Sequence, residues 1–528
     1  MNVFLDGLSI LVNDWQLITG ILVIITVISF PLFSRFKADP EPASSLTILI
    51  SILFTFLSLI LRLAFVFRAT LPSYFDSAQH YMMIEKIMSG DFSYIVEMLC
   101  TNYYHVGFHF ITAFFASIFQ AEITTTMLVL GQVILAVASL PFFFVIRHMT
   151  RSNWAGMFAV VLSAFGWYMP SHVVDWGKYP ALMSLGLVLF TLSFAYLFIQ
   201  NKDVLHVRKR KLFYGAIGMS TIVAFFVHSR SIIVLGIVAV SWIMSVWWQK
   251  LPQVQQHLIF LLLFSVLVVE VAFIARLDML SLLFDPYLYK GIWVTVLVLY
   301  LSAFAYKPYP QIVFMSFLTI SVLLISLFIP VTKLLPGRDY LTLMDRPYVE
   351  MILFAPLSLL GGAGLAGLEK RIGYVYGRYV ALLCIGLILF QTFANYEFYP
   401  SDCCVIVGND DMAAMAWMEN QLPVDSRIGI SSMELKVVVM DIVEGYVGGD
   451  AGIWVTPLID RATILLPYDL DFDKQVVLDI LCSRGIDYLF AGELGHTFDN
   501  IKLNSRPEWY RPLLSFPKTR VYEIIGCD

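Results

Sequence analysis

Long apolar runs alternate with short polar segments along most of the chain, and this pattern predicts membrane-spanning helices. A bilayer crossing needs about 20 predominantly apolar residues. The predicted spans fall at about 17–33, 45–67, 124–146, 154–168, 180–199, 212–228, 231–248, 258–275, 291–306, 310–330, 348–368 and 377–395. The apolar run at 105–120 is shorter and predicts a membrane-surface or re-entrant helix. The fold class is therefore a polytopic α-helical membrane protein with about twelve transmembrane helices.

The pattern changes at about residue 400, where short apolar segments with turn residues between them replace the long runs. The segment NDDMAAMAWMENQLP has the character of an amphipathic helix capped by Asn409 or Asp410, and DKQVVLDILCSRG predicts a second helix. The segments RIGIS, RATILLP, IDYLFAGE and RVYEII predict strands. These features divide the chain into a membrane domain at 1–398 and a small α/β domain at 399–528.

Composition and charge support this division. The chain is 59% hydrophobic and 14% charged, which excludes a soluble globular protein. The segment from Glu397 onward has 21 acidic and 10 basic residues, a balance of −11, whereas the remainder carries +6. Lys and Arg collect in alternate loops, above all in RKRK at 208–211. The positive-inside rule then places the N-terminus and the C-terminal domain outside the cytoplasm, in a multi-pass protein of the cell membrane.

The chain has six cysteines, four of them after residue 400, and none has a CxxC or zinc-finger spacing. A disulfide in the C-terminal domain fits an oxidising compartment. Buried free thiols fit the sequence equally well.

The polar segment Leu71–Asp91, LPSYFDSAQHYMMIEKIMSGD, stands between apolar regions. A carboxylate beside a membrane face needs water or a partner, so Asp76 is a candidate functional residue. A structural interpretation makes Asp76 the N-cap of a helix, with Gln79 in the capping-box position and Gly90 at the end. The two interpretations do not exclude each other.

Three segments resemble a known class. YFDSAQHY resembles the first external loop of GT-C glycosyltransferases, which carries their catalytic Asp; VVDWGKYPAL resembles their second external loop; and DRPYVEMILFAPLSLLGGAGLAGL resembles their late segment, where an Arg precedes a Pro-containing span. The C-terminal domain is similar to the soluble α/β domain that many members carry. The resemblance implies a membrane enzyme that moves a sugar from a polyprenyl-phosphate donor to an extracytoplasmic glycan, lipid or protein, with inversion.

The implied catalytic residues are Asp76, as general base, and Asp175, which we expect to lie near it. The lipid phosphate needs positive charge as it departs, and Arg346, helped by Arg338 or Lys178, is expected to bind it. The predicted substrate-binding residues are His80, Lys178, Arg230, Arg338 and Arg346.

No cofactor is required by this chemistry, since Arg and Lys neutralise a monophosphate. The alternative is a divalent cation, Mg²⁺ or Mn²⁺, with Asp76 and Asp175 as its ligands. The expected partners are the lipid-linked sugar, the acceptor and the bilayer, with no nucleic acid.

Two other functions remain open: a transporter with a charged external vestibule, and a non-catalytic receptor or scaffold that binds through the C-terminal domain. Two motif matches have simpler interpretations. GAGLAG at 362–367 matches GxGxxG but lies within a predicted span, where small residues indicate close helix packing. His105 and His109 have i,i+4 spacing, for which packing or interface hydrogen bonding is a better interpretation than a metal site.

Overall fold

The computed structural model describes residues 45–100, 104–203, 206–331, 342–395, 398–437 and 442–527. The predicted span at 17–33 and the predicted phosphate ligand Arg338 lie outside this part of the chain. The helices before the C-terminal domain are α1 (Ser45–Arg68), α2 (Phe75–Ser89), α3 (Phe92–Cys100), α4 (Gly107–Phe119), α5 (Ile123–Val137), α6 (Leu140–Thr150), α7 (Asn153–Phe165), α8 (Tyr179–Asn201), α9 (Val207–Val227), α10 (Arg230–Gln249), α11 (Gln253–Ile274), α12 (Ile292–Ala305), α13 (Pro310–Ser326), α14 (Arg346–Ile352), α15 (Phe354–Ile372) and α16 (Tyr374–Asn395).

Within the described residues, eight helical spans are long and apolar enough to cross a membrane, with α5 joined to α6 and α14 joined to α15. A ninth is present if the turns at 278–289 and α12, bent by 73°, form one span. The predicted spans at 154–168 and 310–330 are shorter helices, α7 and α13. The run at 105–120 forms α4, whose 13 residues rise only about 20 Å. The polytopic helical fold is confirmed.

The late segment of the membrane domain packs by close backbone contact. A Cβ atom built on Gly364 would lie 2.5 Å from the backbone of Leu301, and one on Gly367 would lie 2.2 Å from the carbonyl oxygen of Phe304. Glycine therefore lets α15 approach α12 more closely than any side chain would allow. The helix-packing interpretation of GAGLAG is confirmed.

The C-terminal domain has a mixed sheet of six strands in the order β2-β1-β4-β6-β5, with β3 parallel to β1. Four strands match predicted segments, whereas β2 and β5 are additional. The elements are α17 (Asn409–Gln421), β1 (Arg427–Val437), β2 (Ile442–Gly448), α18 (Val455–Ile459), β3 (Ala462–Pro467), α19 (Gln475–Ser483), β4 (Tyr488–Ala491), α20 (Asn500–Asn504), β5 (Tyr510–Ser515) and β6 (Arg520–Ile524). The residue before α17 is Gly408, whose N–H donates to Asp411, so neither Asn409 nor Asp410 is the cap.

The C-terminal domain packs against the face of α2 that carries Ala78 and Tyr81. Leu71 and Ala78 belong to the same buried cluster as Trp454, Met415 and other core residues of this domain. The ring of Tyr81 meets that of Trp454 edge-on, with centroids 5.8 Å apart. Apolar burial therefore fixes α2, which carries Asp76, between the membrane helices and the sheet domain.

All four cysteines after residue 400 form disulfides. Cys403 is bonded to its neighbour Cys404, and Cys482 at the end of α19 is bonded to Cys527. The alternative of free thiols in this domain is wrong. Cys100 and Cys384 are free.

Candidate active site

Asp76 lies in the first turn of α2, at the second helical residue. The helix begins after Tyr74, which has φ of 68°, a left-handed conformation that strains a residue with a Cβ atom. The Tyr74 N–H donates to the carbonyl of Cys404 at 3.0 Å, so the C-terminal domain helps to hold this conformation. No side chain caps the helix, and the prediction that Asp76 is the N-cap is wrong. Gly90, with φ of 74°, does end the helix as predicted.

The loop before α8 contacts the start of α2 directly. A Cβ atom on Gly177 would lie 2.5 Å from Ser77 Oγ and 3.0 Å from the Ser73 carbonyl, and the φ of Gly177 is +63°. Only glycine suits both the conformation and the space. This approach brings Lys178 to Asp76, and its Nζ donates to Asp76 Oδ2.

The ion pair faces a cavity of about 170 Å³ at one end of the helix bundle. Four of the predicted site residues line it: Asp76, His80, Lys178 and Arg230. They come from α2, the loop before α8 and the start of α10. Its other polar walls are Tyr104, His105, His228, Asp345 and Tyr348.

Positive and neutral groups predominate around Asp76. Burial lowers the pKa of Lys178, but the charges of Asp76 and Asp345 outweigh this effect and the net pKa is raised, so Lys178 stays protonated. Burial lowers the pKa of both His80 and His105 to about 3. These imidazoles are therefore neutral near pH 7 and can accept as well as donate hydrogen bonds.

The histidines form two contacts within the cavity wall. His80 Nδ1 and His109 Nε2 are 3.0 Å apart, a hydrogen bond between neutral rings, which confirms the hydrogen-bonding interpretation of His109. The rings of His105 and His228 have centroids 4.2 Å apart.

The second cation of the cavity is Arg230, which pairs with Asp345 at 2.8 Å. Asp345 also accepts the Tyr348 N–H and so caps α14. The ion pair of Arg230 with Asp345 therefore joins, at this cavity, two segments that are 115 residues apart in the chain.

Two predicted site residues have other partners. Asp175 is buried and accepts from His172 Nδ1 at 2.9 Å and from the Ser401 N–H at 2.7 Å. Arg346 pairs with Glu350 at 3.4 Å, and its guanidinium lies 5.5 Å from the centre of the Trp176 ring. Both lie on elements that border the cavity, but neither is among the side chains that line it.

The carboxylates present a poor site for a hard divalent cation. Asp76 is paired with the ammonium of Lys178, and both oxygens of Asp175 accept hydrogen bonds. Mg²⁺ prefers several free oxygen ligands in octahedral geometry. The metal site at Asp76 and Asp175 stays a prediction, and the geometry favours the metal-free alternative.

Sequence reasoning missed five polar residues of the cavity wall: Tyr104, His105, His228, Asp345 and Tyr348. A signal was present for His228, which is a polar residue between two apolar spans, directly before Ser229 and Arg230. Tyr104 and Tyr348 carried no such signal, because tyrosine is common at membrane interfaces.

The helix bundle, the polar cavity at its end and the attached α/β domain define a polytopic α-helical membrane protein. By sequence, the chain belongs to a family of unknown function, DUF6541, which matches residues 13–329. None of the curated proteins matches it.

The fold is similar to two cryo-EM structures of the arabinofuranosyltransferase AftD from Mycobacteria. The first is 11% identical, with a TM-score of 0.50, over 91% of this chain and 40% of that chain. The second, a mutant of AftD, is 11% identical, with a TM-score of 0.51, over 90% and 41%. The chain thus spans less than half the length of either structure, and at this identity the likeness is one of fold.

Proposed function

We propose that this protein is a GT-C glycosyltransferase that transfers a sugar from a polyprenyl-phosphate donor to an extracytoplasmic acceptor, with Asp76 as general base. The observation that carries the proposal is the content of the cavity. It combines two carboxylates, Asp76 and Asp345, with two cations, Lys178 and Arg230, at the end of a membrane helix bundle, and Asp345 is already paired with Arg230. A lipid-phosphate sugar already has a good leaving group, so one base and a positively charged phosphate site suffice.

A second cavity, of about 350 Å³, supports a lipid-linked donor. It continues along the helices that form the polar cavity: α8 carries Ala181 in the first and Val188 in the second, and α10 carries Arg230 and then Val234. Its wall is almost entirely apolar and runs from Val188 to Ile199, roughly 16 Å along the helix axis. Ile199 and Ile243 of its wall are exposed on the outside of the bundle, so an isoprenoid chain can enter from the bilayer.

In the proposed reaction the acceptor hydroxyl gives its proton to Asp76 as its oxygen attacks the anomeric carbon. The bond from that carbon to the phosphate oxygen breaks, and polyprenyl phosphate departs with the electron pair. Lys178 and Arg230 stabilise the charge on the phosphate, with Arg346 as a further predicted contributor. Attack opposite the leaving group inverts the anomeric centre.

The proposal is tested by a donor screen. Purified full-length protein in nanodiscs is incubated with a panel of polyprenyl-phosphate sugars, and release of polyprenyl phosphate is measured with and without candidate acceptors. We expect release from one class of donor that depends on Asp76. Absence of release from every donor, together with uptake of a solute into protein-containing liposomes, would instead identify a transporter.

A further inference from the structure

A second group of reactive side chains lies near Asp175, among residues that do not line the cavity. The sulfur atoms of Cys403 and Cys404 and a ring nitrogen of His172 lie within 4.8 Å of one another. Cys403 is exposed, Cys404 is buried and His172 is partly buried. The two cysteines are joined as a disulfide in this structure.

His172 has the hydrogen-bond partner that a metal-binding histidine usually has. Its Nδ1 is bonded to Asp175 Oδ2 at 2.9 Å, which leaves Nε2 as the nitrogen that can bind a ligand. A carboxylate on the second ring nitrogen is the common device that fixes the tautomer and raises the basicity of such a histidine. The rings of Tyr168 and Trp176, with centroids 4.4 and 5.1 Å from that of His172, limit its rotation.

We propose that Cys403 and Cys404 are a reversible thiol–disulfide pair, and that their reduced form binds one Zn²⁺ together with His172 Nε2. Reduction by an external dithiol breaks the sulfur–sulfur bond; the dithiol supplies two electrons and two protons and becomes a disulfide. Each cysteine thiol then loses its proton when it binds the metal.

The geometry suits zinc in the reduced state. At a Zn–S distance of about 2.3 Å, two sulfurs of a tetrahedral site lie about 3.8 Å apart. Breaking the disulfide frees the sulfurs to separate to this distance while the backbone of the two adjacent residues stays in place. Two thiolates and one imidazole leave a fourth position for water or a substrate oxygen.

The proposed zinc site is coupled to the cavity through the backbone of the same loop. The Ser401 N–H donates to Asp175 Oδ1 at 2.7 Å, and the Cys404 carbonyl accepts from Tyr74, two residues before Asp76. A change at the cysteine pair therefore acts on the segment that positions Asp76. Zinc binding can nevertheless be measured whether or not the protein transfers a sugar.

Cobalt binding tests the proposal, because Co²⁺ replaces Zn²⁺ in such sites and gives thiolate-to-metal absorption in the near ultraviolet. Purified full-length protein in detergent is titrated with Co²⁺ before and after reduction by a phosphine. We expect about one Co²⁺ per chain with thiolate absorption after reduction, displaced by Zn²⁺, and none before reduction. Absence of this absorption in the reduced wild type would overturn the proposal.

Variants assign the ligands. Cys403→Ser, Cys404→Ser and His172→Gln should each weaken Co²⁺ binding at least tenfold. Cys100→Ser, which removes an exposed free cysteine outside the cluster, should not change it, and neither should the double variant Cys482→Ser and Cys527→Ser. Undiminished binding in both Cys403→Ser and His172→Gln would also overturn the proposal. The oxidised wild type is a further control, because it tests the same chain without any substitution.

Discussion

Three influences act on the half-buried carboxylate of Asp76. It lies in the first turn of α2, where the helix dipole favours negative charge. It is paired with Lys178, and the histidines nearby are neutral. A general base must be free to accept a proton, and the Lys178 ammonium lies directly beside the Asp76 oxygen that would accept it.

Asp76→Asn removes the base and keeps the shape of the side chain. We expect transfer to fall by about 100- to 10,000-fold, the usual effect of losing a general base. Because Asp76 makes no capping hydrogen bond and the amide oxygen of Asn can still accept from Lys178, α2 should remain folded and the melting temperature should change little. Glu85→Gln, an exposed acid on the same helix, is the matched control and should retain full activity. Near-complete transfer by Asp76→Asn would remove Asp76 from the mechanism.

Arg230 and Arg346 differ in their access to the donor phosphate. Arg230 lines the cavity, whereas Arg346 is held by Glu350. We expect Arg230→Gln to raise the KM for the donor about tenfold or more, since charge-assisted hydrogen bonds contribute about 1.5–3 kcal/mol. Arg346→Gln should weaken donor use less and lower stability more, because it leaves Glu350 buried without its partner. Steady-state kinetics and thermal unfolding of both variants separate these effects; a larger KM change in Arg346→Gln would assign the phosphate to Arg346.

Helix packing in the membrane domain depends on small residues at defined positions. Gly364→Ala places a methyl group against the backbone of Leu301, and such overpacking destabilises by about 1–3 kcal/mol. Gly236→Ala on α10 is the matched control, because nothing lies within 4 Å of its Cβ position. Both changes gain helix propensity, so the difference in melting temperature between them measures the clash. Equal melting temperatures would contradict close packing of α15 on α12.

Sequence patterns predicted the elements that depend on local hydrophobicity. The long spans, the glycine contact of α15 and the end of α2 at Gly90 all follow from residue types within one segment. The start of α2 did not, because the conformation of Tyr74 is held by Cys404, some 330 residues away. The strands β2 and β5 were missed because their segments lack regular alternation, and their pairing partners come from elsewhere in the domain.

The residues of the cavity were predicted only in part, because some of them are brought together by contacts between segments that are distant in sequence. Asp76, Lys178 and Arg230 were recognisable as charges beside apolar spans. The ion pair of Arg230 with Asp345 depends on a contact between distant segments, and so does the hydrogen bond from Ser401 that Asp175 accepts. Single-segment patterns carry no information about such contacts.

The C-terminal domain and the cavity must lie on the same side of the membrane, because Trp454 and its neighbours pack directly on α2. By the positive-inside rule, the acidic domain and the basic segment at 208–211, at the start of α9, then belong to opposite sides. The disulfide between Cys482 and Cys527 also fits an oxidising compartment. We therefore predict that the domain, the Asp76 cavity and the acceptor are all extracytoplasmic.

Cysteine labelling in intact cells tests this orientation. In a Cys100→Ser background, Ser505→Cys reports on the C-terminal domain and Lys209→Cys on the basic segment at the start of α9; both positions are exposed. A membrane-impermeant maleimide should label Ser505→Cys in intact cells, because that thiol faces the outside. It should label Lys209→Cys only after permeabilisation, because that thiol faces the cytoplasm. The reverse result would place the domain in the cytoplasm, and with it the α2 carboxylate, so that the acceptor would have to be cytoplasmic.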